Sequence, residues 1–257
     1  MRWHIMSKNS IFITGIGNGI GRALAVHYSN KGWRVAGIDP DGEALAELRD
    51  GLDGDLLLVE GDAGKEVDVI DTADRLSEWL DGRALTCLVN NAGIADPYAG
   101  PLEDLSLEKF QSWVDASLTA AFLCSRACLP FLRRGEHGGI VNISSTRAVM
   151  SEPNSFGYAA AKGGLDALTH AMAVSLGPDI RVNAIRPGWI ETRNWQKEAD
   201  RKAIEHREKD KAQHPAGRVG NPEDIAHTID WLLGAEFVTG QAINVDGGMT
   251  VKMIYED

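Results

Sequence analysis

The chain has 257 residues, 44% of them hydrophobic and 25% charged, a balance that excludes disordered and fibrous classes. At roughly 150 residues per domain, that length allows one large domain or two small ones, with a core that needs no metal or disulfide staple. Its 26 Lys and Arg face 37 Asp and Glu, and the formal charge of -11 leaves no basic field for nucleic acid or an anionic membrane.

Along the chain, short β-branched runs alternate with stretches of helical periodicity. Met1 to Asn9 lacks the long apolar run of a signal peptide. Ser10 to Thr14 reads as a strand, Gly19 to Lys31 as a helix, Arg34 to Ile38 as a strand and Glu43 to Arg49 as a short helix. Leu56 to Glu60 is the third strand, Val67 to Leu80 a helix, and Leu85 to Val89 the fourth strand. Leu107 to Arg133 reads as a long helix with a break near its start. Strands at Gly139 to Ile143, Arg181 to Ile185 and Ala242 to Val245 are separated by helices at Phe156 to Leu176 and Pro222 to Leu233. Strands bare of charge except at their ends, and bounded by Gly and Asp, predict a parallel sheet buried on both faces. The alternation predicts right-handed crossovers, hence a doubly wound α/β fold in a single domain.

One stretch departs from that rhythm. Glu191 to His214 is dense in charge, carries scattered Trp and Ile, and is too long for an ordinary loop. Emerging where a strand ends, it is expected to form a lid over the crevice. Cys87, Cys124 and Cys128 show no C-x-x-C spacing, so they read as free thiols in a reduced, cytoplasmic compartment, and no metal site is expected.

The segment Thr14-Gly15-Ile16-Gly17-Asn18-Gly19-Ile20-Gly21 follows the first strand and opens the first helix. Glycines there let backbone N–H groups approach a pyrophosphate at the helix N-terminus. Asp39 closes the second strand about 20 residues beyond Gly19, the place of a carboxylate that accepts from ribose hydroxyls. Such a carboxylate repels a 2′-phosphate, and neither Asn18 nor Pro40 offers a cation, so NAD is expected over NADP. Asp62 and Ala63 follow the third strand within reach of an adenine edge. Asn90-Asn91-Ala92-Gly93 follows the fourth, where Gly93 permits close approach of a ligand.

Tyr158 and Lys162 stand four apart at the start of a helix and share a face. A nearby ammonium favours the phenolate and lowers the Tyr pKa from about 10 towards the working range. Ser145 ends the fifth strand, placed to donate to a substrate oxygen or to the phenolate. Together they suit removal of a proton from an alcohol while hydride leaves its carbon.

These motifs, in order, resemble the classical short-chain dehydrogenase/reductase family: TGIGNGIG at 14–21, Asp62, NNAG at 90–93, Ser145, YAAAK at 158–162, PG at 187–188 and VDGG at 245–248. The resemblance implies a Rossmann fold, with Tyr158 as general acid/base and Lys162 lowering its pKa and holding the nicotinamide ribose. It implies that Ser145 orients the substrate, and that Ser144 beside it is structural. Cofactor contacts are implied at Gly15, Asn18, Gly19, Ile20 and Asp39, at Asp62, Ala63, Asn90, Ala92 and Gly93, and at Pro187, Gly188, Ile190 and Thr192. The Asn183 region would support the site from the preceding strand end. Ser117 stands where the family usually carries an Asn that holds a water linking the catalytic Lys to solvent. A working enzyme with a modified proton relay is expected.

The substrate would be a small alcohol or ketone, with a sugar or polyol favoured. It would be chosen by Ile94 to Tyr98, Arg147, Met150 to Asn154, Trp189 and Trp195. The resemblance implies a homotetramer or homodimer built through the two long helices, with Met249 to Asp257 near another interface. Two other readings stand beside the NAD-linked dehydrogenase. One is an NADPH-dependent carbonyl or 3-oxoacyl-carrier-protein reductase, which Asp39 and the acidic balance oppose. The other is an idle NAD-binding protein acting through partners.

Overall fold

Seven apolar runs become strands because each is short, β-rich and closed by a turn residue. The computed structural model describes residues 9–136 and 138–253, so the first eight residues and the last four of the predicted interface segment lie outside it. The strands are β1 (Ser10–Thr14), β2 (Arg34–Asp39), β3 (Leu56–Glu60), β4 (Cys87–Asn90), β5 (Gly138–Ile143), β6 (Ile180–Pro187) and β7 (Ala242–Val245). They form one sheet in the order β3-β2-β1-β4-β5-β6-β7, every neighbouring pair parallel.

Period-two alternation along the strands splits the core into two layers. Ile11 and Ile13 of β1 face one way, with Val89, Val141 and Ile185. There they meet Leu24 and Tyr28 of α1 (Gly19–Asn30), Leu45 and Leu48 of α2 (Gly42–Gly51), and Ile225 and Ile229 of α8 (Pro222–Gly234). Phe12 faces the other way with Leu88, Ile140 and Val182. It packs with Leu76 and Leu80 of α3 (Glu66–Leu80), Leu123 and Leu132 of α5 (Ala120–Leu132), and Ala173 of α6 (Phe156–Leu176). Helices thus cover both faces of a parallel sheet, the doubly wound Rossmann arrangement in a single domain. Strand order reverses between β1 and β4, so a crevice opens outside their carboxyl ends, where Thr14 and Asn90 stand.

The long helix expected at Leu107 to Arg133, with a break near its start, is interrupted after its first 8 residues. α4 (Leu107–Val114) passes through a π turn at Asp115–Thr119 into α5. The wider turn lies where the Asp115 carbonyl presses on Gly64, whose Cβ would be 2.9 Å away. Within Glu191–His214 the chain makes two 3-10 turns, Arg193–Trp195 and Glu198–Asp200, and the short helix α7 (Glu208–Ala212). Asn183 lies mid-strand in β6 and donates to the Val238 carbonyl at 2.9 Å while accepting from Gln241 N. From mid-strand it ties the entry to β7, and the strand runs on to Pro187.

The three cysteines are buried, and burial pushes the Cys87 and Cys124 thiols up to about 12. Among the described residues no helix is long and apolar enough to cross a membrane. The tightest contact in the turn after β1 is at Gly21, where a Cβ would fall 1.9 Å from the Gly15 carbonyl oxygen. Gly21→Ala is therefore expected to cost about 2–3 kcal/mol by overpacking, lowering the melting temperature in a thermal scan by about 5–10 °C.

Candidate active site

The turn after β1 is held open by backbone contacts that only glycine permits. Gly15 takes φ +65° and donates to the Ile38 carbonyl at 2.9 Å. Gly17 donates to Asp39 Oδ2 at 2.8 Å, and a Cβ on Gly17 would lie 2.9 Å from the Asp39 carboxyl carbon. Asp39 Oδ1 accepts from Asp41 N at 2.9 Å. Burial raises the Asp39 pKa, against the lowering effect of those two N–H groups. The glycine cradle, the start of α1 at Gly19 and Ile20, and a buried carboxylate at the end of β2 fit a dinucleotide.

Two cross-strand ties join this cradle to the turn after β4. Thr14 Oγ1 accepts from Asn91 N at 3.0 Å and from Ala92 N at 2.9 Å, and Asn91 Nδ2 donates to the carbonyls of Thr14 and Gly15. An Asn in such a turn is a residue type that pins neighbouring backbone, as Asn91 does, whereas Thr14 carries no mark of its role in the sequence. Asn90 turns its amide away from the crevice, to Ser125 Oγ at 3.0 Å and Asn142 Oδ1 at 2.8 Å, leaving its backbone for a ligand. Ala63 likewise points into the core. Asp62 Oδ1 accepts from Gly64 N at 2.9 Å, shaping the turn into α3.

The predicted catalytic residues Ser145, Tyr158 and Lys162 lie at the end of β5 and in the first turns of α6. Ser145 ends the strand run in extended backbone and its hydroxyl accepts from Arg147 N at 3.1 Å. Burial raises the Tyr158 phenol above its ordinary value, while the Ser145 hydroxyl and the Arg147 guanidinium lower it. Lys162 is buried, and its ammonium donates to the Ile143 carbonyl at 2.8 Å, 5.7 Å from the Tyr158 ring centroid. Burial pushes its pKa down to about 8, with Asp166 opposing. Lys162 is thus desolvated and turned to a backbone carbonyl, while the Ser145 hydroxyl and then the Arg147 guanidinium favour the Tyr158 phenolate against the cost of burial. Ser144 Oγ bonds the Lys162 carbonyl, a structural tie.

Ser117 lies buried in the π turn, and its hydroxyl has no hydrogen-bond partner among the described residues. A Cβ on Gly93 would sit 2.9 Å from Ser117 Oγ and 3.4 Å from Lys162 Nζ. Hydroxyl and ammonium therefore border one small space that Gly93 keeps open.

Pro187 ends β6, and Gly188 N donates to the Val245 carbonyl at 3.0 Å with Asp246 pressed against it. Ile190 packs on the core and bridges to Gly220, which carries Thr192 to within 3.8 Å of a Cβ placed on Gly19. A cleft of about 570 Å³ opens beside this stretch, lined by Trp189, Thr192, Arg193 and Arg207. Beyond it the chain folds back over the glycine turn. Lys197 Nζ reaches Glu43 at 2.8 Å and Asp41 at 3.1 Å, and Lys197 N donates to Asn18 Oδ1 at 2.8 Å. Arg22 Nη1 donates to the Gln196 carbonyl at 2.8 Å, and Glu198 N to Glu47 at 2.8 Å. Asn18 is therefore engaged by this segment as well as by the turn. Charge density was the only sequence signal for these contacts, and it named no partners.

A family model described as enoyl-(acyl carrier protein) reductase matches residues 15–250. An uncharacterised oxidoreductase of Thermotoga maritima is 43% identical over 254 residues, covering 95% of this chain and 97% of its own. Glucose 1-dehydrogenase 2 of Bacillus subtilis is 32% identical, covering 96% of each. The solved structure of an apo SCOR enzyme from Clostridium thermocellum superposes with a TM-score of 0.85 at 37% identity, covering 97% of this chain and 96% of that one. Sharing both its sheet and nearly its whole length with such oxidoreductases, the chain belongs to the short-chain dehydrogenase/reductase family of NAD(P)-dependent enzymes.

Proposed function

We propose that the chain is an NAD-dependent dehydrogenase acting on a small secondary alcohol of the sugar or polyol kind. The observation that carries the reading is the meeting of Ser145, Tyr158 and Lys162 at the crevice, with Asp39 at the ribose end. NAD supplies the hydride acceptor when bound. Tyr158 takes the alcohol proton as its phenolate, and Ser145 holds the reacting oxygen by a hydrogen bond. Lys162 and Ser117 border the space through which that proton reaches solvent. The Trp189 face, with charged side chains around it, suits a hydroxylated substrate, as the name of the glucose dehydrogenase relative also suggests. Exposed Phe122 on α5 and Val174 on α6 suit a face between copies in a dimer or tetramer. The reading is tested by reduced-nicotinamide absorbance with NAD across sugars, polyols and hydroxy acids. Turnover of one cluster supports it, and silence despite NAD binding sinks it.

In the same reading, residues 191–214 are a lid clasped over the cofactor cleft. The pairs of Lys197 with Asp41 and Glu43 hold it down. Lys197→Ala is expected to weaken NAD binding about three- to tenfold by calorimetry, with the difference shrinking as salt rises.

A further inference from the structure

Arg147 stands two residues beyond Ser145, in the 3-10 turn Thr146–Ala148 at the carboxyl end of β5. Its backbone N–H holds the Ser145 hydroxyl at 3.1 Å, so one tight turn roots both side chains. The guanidinium is close enough to Tyr158 to favour its phenolate. It is therefore a cation whose charge reaches the phenol, in a chain whose net charge is -11.

That cation is only partly spent. One guanidinium nitrogen, Nη2, pairs with Glu152, whose side chain is 67% exposed. Its Nε–H is buried and has no hydrogen-bond partner among the described residues. A buried donor left unpaired is costly, and a charged ligand oxygen is the acceptor that repays most. Ser155 Oγ donates to the Glu152 carbonyl at 2.8 Å, so the loop backbone is pinned while the Glu152 carboxylate itself is free to move. Glu152 behaves as a weakly held stand-in for an incoming carboxylate. The guanidinium offers that carboxylate a planar, two-pronged partner close to Ser145 and Tyr158.

We infer that Arg147 is a substrate-anchoring residue and that the alcohol oxidised at this site also carries a carboxylate, as a hydroxy acid or sugar acid does. This rests on the dehydrogenase reading above and narrows its small polar alcohol to one that carries a carboxylate, in place of a neutral sugar or polyol. The reacting hydroxyl lies on Ser145 and Tyr158, and the carboxylate, a few bonds away, takes the Arg147 guanidinium in place of Glu152, with Nε as the unpaired donor. A neutral polyol leaves that donor unmet.

Matched pairs test it: each hydroxy acid against its amide, with NAD as cofactor, in wild type, Arg147→Met, Arg147→Lys and Glu152→Gln. Wild type is expected to prefer the acids. Arg147→Met should cut kcat/KM for the acids about 30-fold, mainly through KM, and Arg147→Lys should recover part of it. Losing the cation beside Tyr158 should also move the ascending pH limb to higher pH for acid and amide alike. Glu152→Gln, by removing the competing carboxylate, should lower KM for the acids. Equal losses on acids and amides in Arg147→Met, or wild-type indifference between them, overturn the anchoring role while leaving the dehydrogenase standing. Failure to turn over any alcohol although NAD binds overturns both.

Discussion

Tyr158→Phe is expected to lower kcat by about a thousandfold while NAD affinity stays within about threefold of wild type. The substitution removes one hydroxyl and keeps the ring that packs against Trp113 and Ala161, so the helix start should stand. What it removes is the group that Ser145 and Arg147 bias towards ionisation against the cost of burial. No neighbour replaces it. Ser145 is an ordinary hydroxyl, and Lys162 is turned to the Ile143 carbonyl. The check is steady-state turnover beside calorimetric NAD titration on the same preparation. A tenfold loss or less would mean that another group accepts the proton.

Asp39→Ala is expected to shift the NAD-to-NADP ratio of kcat/KM about a hundredfold towards NADP. Two effects add. The carboxylate that excludes a 2′-phosphate disappears, and an acceptor for the ribose hydroxyls is lost. Part of the fall with NAD will be structural, because Gly17 N and Asp41 N both lose their acceptor. Asp39→Asn separates the two, since it keeps one acceptor oxygen and removes the charge. If NADP turnover fails to rise in either variant, Asp39 is a turn-shaping residue only. Lys197, already committed to Asp41 and Glu43, gives a 2′-phosphate little unspent charge.

Much of this was legible because its signals are local. Alternating apolar residues in β1 assign Ile11 and Ile13 to one layer and Phe12 to the other. The glycines of 14–21 announce a turn that side chains would fill, and the four-residue spacing places Tyr158 and Lys162 on one helix face. What stayed hidden depends on contacts between distant segments. Thr14 bonding Asn91 and Ala92, or Lys197 reaching Asp41, joins residues far apart in sequence whose types carry no mark of their partners. The electrostatics around Tyr158 were hidden for the same reason. Spacing favours Lys162, but burial and a backbone carbonyl decide where its ammonium points, and the Ser145 hydroxyl and the Arg147 guanidinium add influences that spacing does not announce. The π turn at Asp115–Thr119 shows in the sequence only as an unspecified break, since one extra residue in a turn is lost within a long apolar helix.

The measurement that bears most directly on the central claim is the fate of deuterium. An alcohol substrate deuterated at its carbinol carbon is turned over with NAD, and the reduced cofactor is weighed by mass spectrometry. Direct transfer at the Tyr158 site predicts that the label appears in the reduced nicotinamide, with none washed into water. Label released to solvent, or an unlabelled reduced cofactor, would contradict it.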